Sequence, residues 1–145
     1  MEQDKIHLVQ ETWQQVVPIA DTAAELFYER LFDTSPAIKN LFAKTDMTVQ
    51  KGKLLQTLTS VIENLHEPAG LMDDIENLGR HHAGYGVEAK HYDLVGEALL
   101  WTLEQGLGEA WTLDVSDAWC EAYQMITTPM LRGAADGQPD KSAAA

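Results

Sequence analysis

Apolar residues recur along the chain at three- and four-residue spacings instead of alternating, a pattern that predicts helices throughout. A first helix is expected from Asp4 to Val17, with Pro18 breaking it. A second runs from Ile19 to Asp33 and places Ala24, Phe27, Tyr28 and Leu31 on one face. Ser35-Pro36 then opens a short third helix ending near Leu41-Phe42: serine caps the free amides, and proline at the first helical position loses no hydrogen bond. After a connection over Ala43–Thr48, a fourth helix reaches His66, with Gln50, Leu54, Leu58, Val61 and Leu65 on one face. Glu67-Pro68-Ala69-Gly70 stops it.

The next helix, Leu71 to His82, carries the stripe Leu71, Ile75, Leu78 and His82, and Gly84 and Gly86 end it. A long helix from Lys90 to Leu107 is closed by Gly108; its centre is apolar on more than one face, so it packs on two sides. Thr112 caps a last helix bearing Val115, Trp119, Ala122 and Ile126, which Pro129 kinks or ends. The fold class is therefore all-α, with about seven helices. Residues 1–132 form the folded domain, and 133–145, GAADGQPDKSAAA, have the composition of a disordered tail. The strands needed by a dinucleotide fold, a P-loop or an α/β hydrolase are missing.

At 145 residues the chain is one domain. Ten Lys and Arg against 23 Asp and Glu give a formal charge of −13, which argues against nucleic acid and anionic membranes as partners. The lone Cys120 excludes an internal disulfide and a multi-cysteine zinc site, and beside Trp119 in a helix interior it reads as packing. No apolar run approaches the ~20 residues that cross a bilayer. The opening MEQDKIH lacks the features of a secretory signal, so a cytoplasmic location is expected.

Four residues bear on chemistry. His82 is a polar group on an apolar stripe; alone, it reads as a core histidine bonded to a carbonyl. Gln50 alone is a rim residue, Tyr28 a core tyrosine and Phe42 plain core. Together they offer an imidazole on one helix and a phenol and an amide on two others, the set a flat, apolar, iron-bearing cofactor needs. His81 and His82 are adjacent and so do not form the i, i+4 zinc pair. Trp101, Trp111 and Trp119 read as core or interface.

The runs LFYERLF (26–32), SPAIKNLF (35–42), QKGKLLQTL (50–58), NLGRHHAGYGV (77–87), HYDLVGEALL (91–100) and DAWCEAY (117–123) resemble, in order and spacing, the single-domain bacterial haemoglobins. These are globins related to the haem domain of flavohaemoglobins. The resemblance implies a globin fold around haem b. His82 would be the proximal iron ligand, because the family places its histidine five residues before the valine matched by Val87; His81 is the rival. Tyr28 and Gln50 would be the distal ligand-stabilising pair and Phe42 the ring stacked on the haem. Leu54, Leu78, Val87 and Val95 would line the slot, Lys53 would sit at its mouth beside a propionate, and Tyr92 would lie behind the proximal histidine. A glutamate that relatives place in the last helix would fall at Ala134, and no reductase domain is expected within these 145 residues.

The implied function is tight binding of O2, for carriage, storage or scavenging, with CO and NO as further diatomic ligands. Tyr28 and Gln50 would donate hydrogen bonds to the ligand. An alternative is nitric oxide dioxygenation supported by an external reductase; another is a haem-based sensor or interaction module. The chain is expected as a monomer or a homodimer, with Trp101 facing outward in the latter.

Overall fold

The computed structural model describes residues 1–84 and 87–144. Seven α-helices and three short 3-10 turns are present among them, with no strand. Helix α1 (Gln3–Val16) passes through a 3-10 turn at Val17–Ile19 into α2 (Ala20–Thr34). Pro18 sits where its missing N–H costs nothing, in the first turn of that 3-10 segment. Helix α3 (Pro36–Leu41) starts as its sequence requires: the Ser35 hydroxyl accepts from the Ile38 amide at 3.2 Å. Helix α4 (Met47–Glu63) begins one residue earlier than expected, capped by Asp46, whose carboxylate accepts from the amides of Thr48 and Val49.

A 3-10 turn at Pro68–Leu71 leads into α5 (Met72–Gly84). Gly86, expected to help end α5, lies outside the described residues. Helix α6 (Ala89–Leu107) opens with a reciprocal cap between Glu88 and His91 and closes at Gly108, whose φ of 54° favours glycine. Gly108→Ala should therefore lower stability by about 1–2 kcal/mol, read as a lower thermal midpoint. Helix α7 (Leu113–Ala144) follows, and the Thr112 hydroxyl accepts from the Val115 amide at 3.2 Å.

The expected end at Pro129 does not occur. Proline removes one intrahelical bond, but Pro129, Met130 and Gly133 continue the buried face of α7, and that packing outweighs the lost bond. Gly133, where composition begins a tail, is itself buried against α5, and the helical backbone continues past it.

Helix α2 packs on α6, α1 on α7, and α5 on α7. The core holds Trp13 and Trp119 with ring centres 6.1 Å apart. Both indole N–H groups are satisfied inside it, Trp119 by the Thr12 hydroxyl at 2.8 Å and Trp13 by Thr59 at 3.1 Å. Trp101 is half-buried and lies under the Arg30 guanidinium, which also pairs with Glu97.

The buried apolar residues fall into two clusters. The larger runs through α1, α2, α3, α4, α6 and α7 and includes Phe27, Tyr28, Leu31, Ile38 and Trp119. The smaller consists of Ile75, Tyr92 and Met130, and Ile126 packs against both. No helix of the described residues is long and apolar enough to cross a membrane.

Candidate functional site

Helix α2 turns Tyr28 inward because Ala24, Phe27 and Leu31 share its face; Tyr28 is 5% exposed. Its hydroxyl meets α4: the Gln50 side-chain amide donates to the Tyr28 oxygen at 3.3 Å. The pairing leaves the Tyr28 O–H free to donate elsewhere. Burial raises the Tyr28 phenol above its ordinary pKa of 10, an effect only partly opposed by the Gln50 bond, so the proton stays on at neutral pH.

Around this pair the chain builds an aromatic wall. The Phe42 ring, at the end of α3, lies 5.7 Å from Tyr28 and 5.5 Å from Phe32, and Tyr28 and Phe32 are 5.8 Å apart. Phe32 is a member the sequence reading left out as a site residue; its i+4 spacing from Tyr28 is the signal that finds it. Phe42, Leu54 and Val95 pack on the larger cluster yet remain half-buried.

His82 lies on α5, on the side of the smaller cluster. His81 is exposed, while His82 is half-buried. The His82 Nδ1 lies 2.7 Å from the Leu78 carbonyl oxygen, one turn back. A carbonyl only accepts, so Nδ1 carries a proton and donates it, which leaves Nε2 as the ring nitrogen not engaged by the helix. Leu78 and Val87 are half-buried against the smaller cluster, and the Val87 amide closes the chain back onto the His82 carbonyl at 3.1 Å.

Tyr92 is 7% exposed and its hydroxyl finds no hydrogen-bond partner among the described residues. The Tyr123 hydroxyl of α7 donates instead to the Tyr92 backbone carbonyl, tying α7 to α6. Tyr123 ends the DAWCEAY run of the resemblance but is not expected as a site residue; its place four residues after Trp119 is the sequence signal for it. Lys53 is exposed. The structure therefore joins Tyr28, Gln50 and Phe42 in one group with Leu54 and Val95 on the same cluster. It places His82, Leu78, Val87 and Tyr92 in a second group.

Burial also raises the phenols of Tyr92 and Tyr123. Folded, all three tyrosines hold their protons more tightly than in the unfolded chain, where they ionise near 10. Above that pH the native state keeps more bound protons than the unfolded state, so stability falls as pH rises. We expect the denaturant midpoint to drop once pH exceeds about 10, with native tyrosinate absorbance lagging that of the unfolded chain.

The site can do one kind of chemistry with its own groups. It presents one imidazole nitrogen, His82 Nε2, that could take a metal and one neutral hydroxyl, Tyr28, that could donate a hydrogen bond. Half-buried apolar side chains surround both. Among the described residues no cluster of His, Cys, Asp and Glu is arranged to hold a metal ion.

Relatives match the chain along most of its length. A neuroglobin of Tetraodon nigroviridis is 28% identical over 148 residues, covering 93% of each chain. A neuroglobin of Danio rerio is also 28% identical, over 97% of this chain and 96% of its own. A flavohemoprotein of Bordetella pertussis is 34% identical over 109 residues, which are 72% of this chain and 27% of that one. The chain thus spans about a quarter of the flavohemoprotein's length. The Globin family model matches residues 25–130, a span that holds α3 to α6 entire and both halves of the site, and the chain belongs to the globin family.

Proposed function

We propose that this globin holds haem b between its two clusters and uses it to bind O2 tightly and reversibly. The observation that carries the reading is the division of the interior. An imidazole whose Nε2 is not engaged by the helix stands on one cluster, and a buried hydroxyl paired with a half-buried amide stands on the other. A flat apolar group would lie between such halves. Phe42, Leu54 and Val95 would cover it from the larger cluster, and Leu78 and Val87 from the smaller. These five are half-buried members of the interior, as side chains that complete their burial on a ligand would be. Haem, when bound, would supply an iron atom able to take a protein nitrogen and to bind a diatomic ligand.

The residues then divide the work. His82 would hold the iron through Nε2, with its ring orientation set by the Leu78 carbonyl. Tyr28 would direct its O–H at the ligand, and Gln50, by donating to the Tyr28 oxygen, would fix that direction. Burial keeps the phenol neutral, so the donor persists across the physiological pH range. Phe42 and Phe32 would exclude water from this side. Lys53, exposed on α4, would lie at the rim, where an ammonium suits a haem propionate.

Holding is favoured over turnover. The His82 Nδ1 proton goes to a neutral carbonyl and not to a carboxylate, so the imidazole gains little anionic character. Ala134 stands where the resemblance places a glutamate, and the Tyr92 hydroxyl has no partner among the described residues.

The test is an absorption spectrum of the purified protein, reduced without air and then exposed to O2. A broad five-coordinate ferrous band that splits into two sharp visible bands is expected. A protein that is colourless and refuses added haemin would overturn the proposal.

A further inference from the structure

Helix α5 has one main support. It packs chiefly on α7, and next on the 3-10 turn that precedes it. The contact with α7 is backbone on backbone. A Cβ at Gly79 would overlap the carbonyl of Met130, and a Cβ at Gly133 would overlap the carbonyl of Glu76. The two contacts are reciprocal: each carbonyl belongs to the residue one turn before the partner glycine. Glycine is required at both places because nothing larger than hydrogen fits, and the hydrogens can make Cα–H···O contacts. Beside the crossing, Arg132 pairs with Glu76 at 3.4 Å, and Met130 packs with Ile75 and Tyr92.

His82 follows Gly79 by one turn and is locked to that turn by the Leu78 carbonyl. The imidazole therefore has little freedom of its own relative to α5, and α5 is located by the glycine contacts on α7. We propose that Gly79 and Gly133 are positioning residues that set where the His82 Nε2 stands, so that α7 sets the reach of the proximal ligand from outside the pocket. Neither glycine touches the ligand-binding side. A methyl at either site must push α5 from α7, because the opposing atoms are backbone and cannot rotate aside. The displacement carries His82 with it. This inference rests on His82 being the haem ligand.

The experiment compares Gly79→Ala and Gly133→Ala with Ile75→Val, which loosens the same small cluster without adding bulk. Resonance Raman of the reduced, ligand-free proteins reads the iron–histidine stretch, and transfer to an apo-globin acceptor reads haem loss. Both glycine variants should shift the stretch and lose haem at least about tenfold faster. Ile75→Val should leave the stretch unmoved at a comparable loss of melting temperature. Glycine variants with a wild-type stretch, or an equal shift in Ile75→Val, would overturn the inference while leaving haem binding by His82 standing. A wild-type chain that takes up no haem would instead overturn the reading beneath it. If the glycine variants do not fold, the haem-free wild-type protein decides: a strong NOE between the Gly79 and Met130 Hα protons supports the crossing, and its absence refutes it.

Discussion

Replacing His82 by alanine is expected to abolish haem retention, while His81→Ala leaves it intact. The two imidazoles are neighbours in sequence, but about 100° apart around α5, and only one is turned inward. His82 has its tautomer chosen by the Leu78 carbonyl, so Nε2 is a ready ligand; His81 points to solvent. The loss in haem affinity should be on the order of a hundredfold or more, since under the proposed function it removes a metal–ligand bond and not merely a group that orients one. Free imidazole should restore part of it by entering the space the side chain leaves. Haem titration of the two variants, followed by visible absorption, separates the outcomes. Retention in His82→Ala with loss in His81→Ala would reverse the assignment.

The second large effect is expected on the other side of the site. Tyr28→Phe removes the hydroxyl but keeps the ring, so the packing against Phe27, Phe32 and Phe42 survives. A hydrogen bond to a charged or strongly polarised acceptor contributes about 1.5–3 kcal/mol, so O2 should leave roughly 10- to 150-fold faster. Gln50→Leu should cost less, about 1 kcal/mol, if its amide acts by orienting the Tyr28 hydroxyl. CO is less polar and should respond weakly to either change. Stopped-flow displacement of O2 by CO measures the off-rates. Equal O2 and CO responses in Tyr28→Phe would point to a steric effect and not to a lost donor.

Local chemistry explains what the sequence makes legible. Ser35-Pro36, Thr112 and Gly108 act through their own backbone neighbourhood, so their roles as helix start, cap and stop are readable in a few residues. The inward turn of His82 follows from its place on the stripe with Ile75 and Leu78. Pro129 is the opposite case. Its local effect is to break a helix, but the buried face of α7 continues across it, and tertiary packing of that kind has no local signature.

The same limit governs the site. Tyr28 and Gln50 are each visible as inward-facing residues, but their bond joins positions 22 apart and depends on how α4 meets α2. Gly79 and Gly133 look like ordinary helical glycines until α5 and α7 are seen to touch. Trp13 had no part in the expected tryptophan grouping, although its pairing with Trp119 makes it central to the core.

The separation of the smaller cluster has a consequence for how the domain breathes. Ile75, Tyr92 and Met130 hold α5 against α6 and α7, whereas the larger cluster anchors the other six helices together. Local opening free energies follow buried apolar contact, so the haem-free chain should exchange its α5 amides through a sub-global opening well below the cost of full unfolding. Helix α5 would then behave as a separate foldon, undocking and redocking while α1, α2, α4 and α6 stay assembled, and the cofactor would enter through that motion.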